Sequence, residues 1–183
     1  MSLKSSNYKI IFTGPVGAGK TTAITSISDV PTVMTEESAS DETKHLKDST
    51  TVAMDYGAII LKDATRINLY GTPGQKRFDF MWEILTNGGI GLLLFIDGSD
   101  TEALNNLKFF ISSFHKFIEK TSVVVGITKQ DELKNYELKD FRNALGPGQP
   151  IIPIFEVDAR DKKDIALMVE TLLYTIDPKL TLG

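Results

Sequence analysis

The stretch Gly14-Pro15-Val16-Gly17-Ala18-Gly19-Lys20-Thr21 decides the fold of this chain of 183 residues. It matches the pattern G-x-x-x-x-G-K-[ST], in which glycines let backbone N–H groups converge on phosphate oxygens. It lies between an apolar strand predicted over 8–13 and a helix predicted over 21–28. The N-terminus of such a helix adds a dipole that favours an anion. The sequence therefore predicts a phosphate-binding loop at this point.

Within this loop, the lysine and the threonine have the most specific predicted roles. Lys20 would reach the β- and γ-phosphates of a nucleotide, and the Thr21 hydroxyl would be a ligand of Mg²⁺. The other nucleotide contacts predicted here come from Gly14, Val16, Gly17, Ala18, Gly19 and Thr22. Kinases, ATPases and GTPases all use such a loop, so the part of the chain that recognises the base has to distinguish them.

The composition is that of an ordinary folded protein, with 42% hydrophobic and 24% charged residues. The net charge of -4 is not concentrated in a patch, so we expect no nucleic-acid partner. The chain has no cysteine, which excludes disulfides and thiolate metal sites. Its N-terminus is too polar for a signal peptide, Ser2 stands where myristoylation needs glycine, and the C-terminus has no cysteine to prenylate. We expect a monomeric cytoplasmic protein without a lipid anchor.

Apolar strand-like runs alternate with amphipathic stretches along the chain. The predicted strands span residues 8–13, 52–61, 65–70, 91–96, 122–128 and 151–157. The predicted helices span residues 21–28, 103–118, 136–144 and 161–174, and a further helix begins near Phe78. This alternation is typical of an α/β fold, with a mostly parallel sheet covered by helices on both faces. We expect one domain over 1–183, with six strands and one antiparallel edge formed by the hairpin of the second and third strands.

A second candidate site follows the fifth predicted strand, where the sequence reads Thr128-Lys129-Gln130-Asp131. The Asp131 carboxylate could accept two parallel hydrogen bonds from guanine N1–H and N2–H₂, a pair that adenine cannot donate. The stem of Lys129 could lie over the plane of the base. Taken alone this pattern is weak, because charged residues after a strand usually belong to a solvated loop. The segment 158–160, after the next strand, agrees with it, since a backbone N–H there could meet guanine O6.

With both segments in place, the chain resembles the Ras-like small GTPases, whose motifs occur here in family order from residue 14 to residue 160. The family reads N/T-K-x-D and then S-A-K at the base, and Asp158 and Arg160 replace its Ser and Lys. The residues that the resemblance assigns to the base are Thr128, Lys129, Asp131, Asp158, Ala159 and Arg160. It implies the P-loop NTPase fold, GTP and GDP as ligands, and Mg²⁺ as a cofactor.

The resemblance also implies a threonine, between the first helix and the second strand, that contacts the γ-phosphate and ligates Mg²⁺. Thr50 and Thr51 both qualify, and the spacing to the segment 71–74 favours Thr51. We therefore predict that Thr51 binds the nucleotide, ligates the metal and takes part in catalysis. The polar segment 29–50 then becomes a first switch loop that is mobile. A tolerated surface insertion is the simpler alternative for this segment.

The segment Gly71-Thr72-Pro73-Gly74-Gln75 matches the second switch of the family. The resemblance places Gly74 beside the γ-phosphate and makes Gln75 the residue that orients the attacking water, with Lys20 as the other catalytic residue. A solvent-exposed loop glutamine is the alternative. The family's aspartate is absent, because Gly71 occupies its position. The prokaryotic branch that includes the bacterial polarity GTPase of gliding motility also lacks this acid, and we expect weakened rather than lost metal binding.

Two further departures predict slow hydrolysis by the isolated protein. Val16 crowds the space beside the γ-phosphate, and the first arginine of the chain is Arg66, so the first switch loop has no internal arginine finger. The resemblance implies a GTPase-activating partner, of the roadblock type in this branch, and effectors that bind the GTP form. The alternatives are a guanine-nucleotide-binding scaffold without useful hydrolysis and another P-loop NTPase or kinase. We interpret Asp97 and Asp100 as parts of a turn that caps the next helix.

Overall fold

The computed structural model describes residues 8–34, 54–76, 79–132, 135–147 and 151–183. The strands are β1 Tyr8–Thr13, β2 Val33–Met34, β3 Asp55–Ile60, β4 Arg66–Gly71, β5 Gly89–Asp97, β6 Val123–Thr128 and β7 Ile154–Glu156. The helices are α1 Lys20–Ile27, α2 Asp79–Thr86, α3 Ala103–Ser113, α4 His115–Ile118, α5 Leu138–Ala144 and α6 Lys162–Ile176.

The strands form a seven-stranded sheet in the order β2-β3-β4-β1-β5-β6-β7. Strands β4, β1, β5, β6 and β7 pair in parallel, and β3 is antiparallel to both β2 and β4. The mixed α/β sheet and the β3–β4 hairpin agree with the prediction. The predicted count of six strands and the place of the antiparallel edge differ, because the two-residue strand β2 pairs with β3 and forms the edge itself. Two residues are too few to show an alternating pattern in the sequence.

Alternation along β1 separates the two layers of the core. Ile10 and Phe12 lie in the cluster that α1 and α6 cover, whereas Ile11 lies in the cluster that α2, α3 and α5 cover. The centre of β5, over 91–96, is fully buried, as its continuous apolar sequence predicts. Helices therefore cover both faces of the sheet, as expected of this class.

The helix predicted over 103–118 is divided in the structure into α3 and α4. Phe114 lies between them with φ -96° and ψ 10°, outside the helical region. Its ring stacks on Trp82 of α2 with 5.0 Å between ring centroids. We attribute the break to this contact, since tertiary packing overrides a helical pattern that continues along the sequence.

The parallel strands bring the loops of interest to one edge of the sheet. In a parallel sheet the carboxyl ends of the strands lie on the same side, and ligands bind in the crevice beyond them. The segments that follow β1, β5, β6 and β7 here are 14–19, 98–102, 129–132 and 157–161. No helix in the part of the chain that the structure describes is long and apolar enough to cross a membrane.

Candidate functional site

The phosphate-loop backbone takes the conformation that its glycines allow. Gly14, Gly17 and Gly19 have φ angles of 143°, 78° and 98°. A Cβ atom on Gly14 would lie 2.1 Å from the carbonyl oxygen of Phe95, so no side chain fits there. Gly19 is the N-cap residue of α1, and the loop therefore leads directly from β1 into a helix N-terminus. This is the geometry in which backbone N–H groups can surround an anion.

Lys20 is the buried cation of this loop, with a relative exposure of 8%. Its ammonium donates to the carbonyl oxygens of Gly14 at 2.8 Å and Pro15 at 2.7 Å. Burial lowers the pKa of Lys20 to about 8, and the nearby Asp55 carboxylate acts in the opposite direction. An ammonium has three N–H donors. The two carbonyls therefore fix the direction of the side chain and leave capacity for a phosphate oxygen.

Thr21, the predicted metal ligand, has a partner that sequence reasoning missed. Its hydroxyl donates to Oδ2 of Asp55, the first residue of β3. Asp55 lies directly across the ladder from Gly71 on β4. A Cβ atom on Gly71 would lie 3.2 Å from Asp55 Oδ2, so the aspartate side chain occupies the space beside the glycine. The one signal in the sequence was a carboxylate within the predicted strand 52–61.

The segment 71–75 packs against the phosphate loop. A Cβ atom on Gly74 would lie 2.5 Å from the backbone nitrogen of Val16, so only glycine fits at this contact. Thr72 is buried, its N–H donates to Phe12 O at 2.9 Å, and its hydroxyl is 2.8 Å from that of Thr13. The structure therefore brings Gly74, and with it Gln75, to the mouth of the loop.

The indole of Trp82 connects this segment to α2. Its Nε1–H donates to the carbonyl oxygen of Pro73 at 3.2 Å, and its ring contacts Phe110 and Phe114. Trp82 and Leu85 are buried as their spacing predicts, whereas Phe80 and Ile84 on the other face of α2 are 58% and 67% exposed. The segment 71–75 is thus held by two buried residues, its own Thr72 and Trp82 of α2.

Thr128 joins the phosphate loop to the predicted base site. It is buried, and its hydroxyl lies 2.9 Å from Ala18 O and 3.2 Å from Ile96 O, both acceptors. Ala159 also packs against the phosphate loop, since a Cβ atom on Gly19 would lie 3.0 Å from the Cβ atom of Ala159. The three segments that the sequence assigns to one ligand are therefore neighbours in space.

Lys129 is positioned by an aspartate that we had interpreted as part of a helix-capping turn. The Lys129 ammonium donates to Asp97 Oδ2 at 2.9 Å, and its backbone has a positive φ of 57°. Partial burial acts to raise the pKa of Asp97, but hydrogen bonds from Ser99 and Lys129 outweigh it and hold that pKa below its usual value. The turn interpretation is therefore incomplete for Asp97. Asp100 does belong to a turn, since its carboxylate accepts from the N–H of Glu102, but it does not cap α3, whose N-cap residue is Glu102.

The predicted base site is open to solvent. The side chains of Asp131 and Arg160 are 70% and 71% exposed. The Arg160 guanidinium donates to Asp158 Oδ2 at 2.7 Å and lies 3.4 Å from Asp131 Oδ2. The hydrogen bonds from Arg160 lower the pKa of Asp158 to about 2. The close Asp158–Arg160 pair leaves the longer contact to Asp131 weak.

Several predicted residues lie outside the described residues. They include both candidate threonines, Thr50 and Thr51, and Phe78 at the predicted start of α2. Of the predicted first switch loop, only 29–34 is described, and it contains β2. The roles predicted for Thr51 and for the rest of that loop stay predictions. Thr22 lies on α1 and is exposed.

Comparisons with known proteins place this geometry in a family context. Residues 28–176 match the model of a family described as conserved hypothetical ATP-binding protein, a segment that begins after the phosphate loop. The chain is 32% identical over 127 residues to the uncharacterized protein MJ1339 of Methanocaldococcus jannaschii, covering 66% of this chain and 75% of the relative. It is also 28% identical over 120 residues to the Ras-related protein Rab-27A of Sus scrofa, covering 64% of this chain. The chain spans only 54% of the length of that Rab protein.

Proposed function

The chain belongs to the family of conserved hypothetical ATP-binding proteins, and we propose that within it this protein is a Mg²⁺-dependent guanine-nucleotide switch of the Ras-like type that hydrolyses GTP slowly. One observation carries the proposal: the Thr128 hydroxyl joins the base loop to the carbonyl of Ala18 in the phosphate loop. The two loops are 110 positions apart in sequence and are held together as one candidate site. The similarity to the Ras-related protein Rab-27A also supports the proposal of a Ras-like protein. We propose that residues 1–183 form one nucleotide-binding domain.

The phosphates of the nucleotide would bind at the buried end of the site. The loop from Gly14 to Gly19 would surround them with N–H groups, and the Lys20 ammonium would neutralise their charge. Thr21, and Thr51 beyond the described residues, would hold Mg²⁺, which supplies charge neutralisation on the β- and γ-phosphate oxygens. Gln75, which follows the glycine packed on Val16, would orient the attacking water.

The base would bind at the exposed end, where the choice between guanine and adenine is made. The Asp131 carboxylate accepts the two parallel N–H donors of guanine and finds only repulsive or absent partners on adenine. Lys129, directed by Asp97, would place its stem along the base. The description of the family names ATP instead, so an adenine-nucleotide-binding protein is the second candidate function.

Measurement of nucleotide affinity separates these two candidates. Calorimetric titration of the nucleotide-free protein with GDP and with ADP should give the tighter constant for GDP. Asp131→Asn should reduce the preference for GDP by about 10–100-fold, the value of one hydrogen bond to a charged group. Glu132→Gln is the matched control, because it removes the neighbouring exposed carboxylate of the same loop. Tighter binding of ADP by the wild type would favour the ATP-binding candidate and contradict ours.

Hydrolysis is tested separately, in a single-turnover experiment with GTP. Phosphate release by the wild type should be slow, because no arginine precedes Arg66 to act as an internal finger. Gln75→Ala should slow it further without changing GTP affinity. We propose that a partner protein accelerates the reaction, by donating an arginine or by repositioning Gln75. Equal rates for both proteins and for GTP in buffer would leave a scaffold that binds guanine nucleotides without hydrolysis.

A further inference from the structure

Strand β4 ends at Gly71, the position where the resembled family has an aspartate that helps to hold the metal. Glycine has no side chain, so another residue would have to supply the carboxylate. We propose that Asp55, on the neighbouring strand β3, supplies the carboxylate that holds the divalent cation together with the nucleotide phosphates. The inference rests on the proposed function for the presence of a nucleotide. It adds a residue that the sequence motifs do not contain.

The first argument is the contact between Asp55 and the predicted metal ligand. Asp55 Oδ2 accepts a hydrogen bond from the hydroxyl of Thr21, at the first turn of α1. A carboxylate that touches the threonine hydroxyl lies within reach of the coordination shell of any cation bound to that oxygen. Mg²⁺ prefers oxygen ligands and is often held by one or two protein ligands with phosphates and waters. The pair Thr21 and Asp55 fits that pattern, although the described residues include no cluster of three or more candidate metal ligands.

The second argument is that the carboxylate lies on β3, directly opposite the glycine on β4 that replaces the expected acid. Asp55 and Gly71 are directly opposed in the antiparallel pairing of β3 and β4. A Cβ atom on Gly71 would lie 3.1 Å from Asp55 Cβ and 3.2 Å from Ile24 Cδ1, closer than ordinary contacts. Two side chains therefore compete for one space, and here Asp55 occupies it. The glycine at 71 and the aspartate at 55 are two parts of one arrangement.

The third argument is electrostatic. The Asp55 carboxylate is close enough to Lys20 to act on its ammonium, which is the group predicted to bind the phosphates. Anionic phosphates beside an anionic carboxylate repel each other. A divalent cation between them would turn this repulsion into attraction. The Lys20 ammonium offsets part of this repulsion, and a bound divalent cation would offset the rest.

The alternative is a purely structural role, in which Asp55 only orients the hydroxyl of Thr21. The two roles differ in what happens without metal. A metal-holding carboxylate affects nucleotide release only while the cation is bound. A structural carboxylate affects release equally with and without the cation.

The test uses Asp55→Asn, which keeps the size and the hydrogen-bonding capacity of the side chain. The dissociation rate of a fluorescent GDP analogue is measured against free Mg²⁺ concentration, and Mn²⁺ binding to the GDP complex is measured by electron paramagnetic resonance. We expect the half-saturating Mg²⁺ concentration and the dissociation constant of Mn²⁺ to rise about 10–100-fold. In excess EDTA, wild type and variant should release the analogue at the same rate. Asp63→Asn, which removes one carboxylate from the exposed turn of the same hairpin, should behave as the wild type.

An unchanged Mg²⁺ dependence, or equal acceleration with and without EDTA, would overturn the inference. Gly71→Ala is the second variant, since it retains every carboxylate and places a methyl group against the side chains of Asp55 and Ile24. It should also raise the Mg²⁺ requirement, and a requirement equal to that of the wild type would overturn the shared-space argument. If the wild type retains ADP and not GDP, the proposed guanine specificity fails, and the same titration with an ADP analogue still tests Asp55. A wild type that retains neither nucleotide overturns both proposals.

Discussion

The two ends of the candidate site are built in different ways. At the phosphate end, Lys20 is 8% exposed and donates to two backbone carbonyls of its own loop. At the base end, the side chains of Asp131 and Arg160 are 70% and 71% exposed, and the contact between them is 3.4 Å long. Buried, satisfied groups hold a fixed shape, whereas exposed charges are screened and rearrange at little cost. The comparison suggests that the phosphate end supplies affinity from a preformed loop and the base end supplies selection.

The largest effect should follow from a side chain placed in the phosphate loop. Gly14→Ala puts a Cβ atom 2.1 Å from Phe95 O at a φ of 143°, so the loop or β5 must move. We expect the free energy of unfolding to fall by about 3–5 kcal/mol. Gly146→Ala is the control, because its φ is also positive, at 79°, but no atom lies within 4 Å of its Cβ. It should cost about 1–2 kcal/mol. Similar costs in urea titrations of the two variants would contradict the claim that the phosphate end is tightly packed.

Removal of the buried cation should come next. Lys20→Met should weaken nucleotide binding about 100-fold, since hydrogen bonds to charged groups contribute about 1.5–3 kcal/mol each. The change is measured by calorimetric titration, with circular dichroism to confirm the fold. Lys9→Met is the matched control, because Lys9 lies on β1 near Tyr70 rather than at the loop. An affinity for Lys20→Met within about threefold of the wild type would show that the phosphate end does not supply the affinity.

The pKa of Lys20 predicts a pH dependence of binding. Because burial lowers this pKa to about 8, the free protein loses the ammonium above that pH, and phosphates bind the charged form. Nucleotide affinity should be flat below pH 8 and fall about tenfold per unit above it, with proton uptake in calorimetry. Unfolding also takes up this proton between pH 8 and the ordinary value of 10.5, so the stability contribution of this residue rises with pH in that window. Lys20→Met should lose both dependences, and their survival in the variant would assign them to another group.

The smallest effect should come from the exposed end. Arg160→Ala removes the close pair with Asp158 and the longer contact to Asp131. Since exposed ion pairs contribute little, we expect the free energy of unfolding, measured by urea titration, to change by less than about 1 kcal/mol. Guanine affinity should change by about threefold or less. A tenfold loss of affinity would show that Arg160 organises the base end, and the contrast between the two ends would then be lost.

The fold was largely predictable because its signals are local. The apolar run 91–96 and the glycine-rich loop after β1 lie where the pattern places them, and the hairpin of β3 and β4 is formed as predicted. The two-residue strand β2 and the break at Phe114 were not predictable. Both depend on partners from other elements, namely β3 for the first and Trp82 for the second. A pattern read along one segment contains no information about such partners.

The candidate site divides in the same way. Lys20, Gly74 and Thr128 adjoin the phosphate loop at the predicted edge of the sheet, because motif spacing and strand order place them there. For Asp97, the partner of Lys129, the sequence indicates only a place in a capping turn. The contact joins residues that are 32 positions apart, so no local pattern reveals it. Thr51 and most of the segment 29–50 lie outside the described residues, so their roles remain predictions.

The sequence by itself determined that the chain has a phosphate loop between a strand and a helix, because that motif is contiguous and its glycines act on the local backbone. It also determined that Gly71 lacks the acid expected there. Only the tertiary structure decided what fills that place. The register of β3 against β4 sets Asp55 opposite Gly71, and the packing of α1 brings the Thr21 hydroxyl to its carboxylate. A register is fixed by pairing across a turn and by burial of one face, and neither is a property of one segment alone.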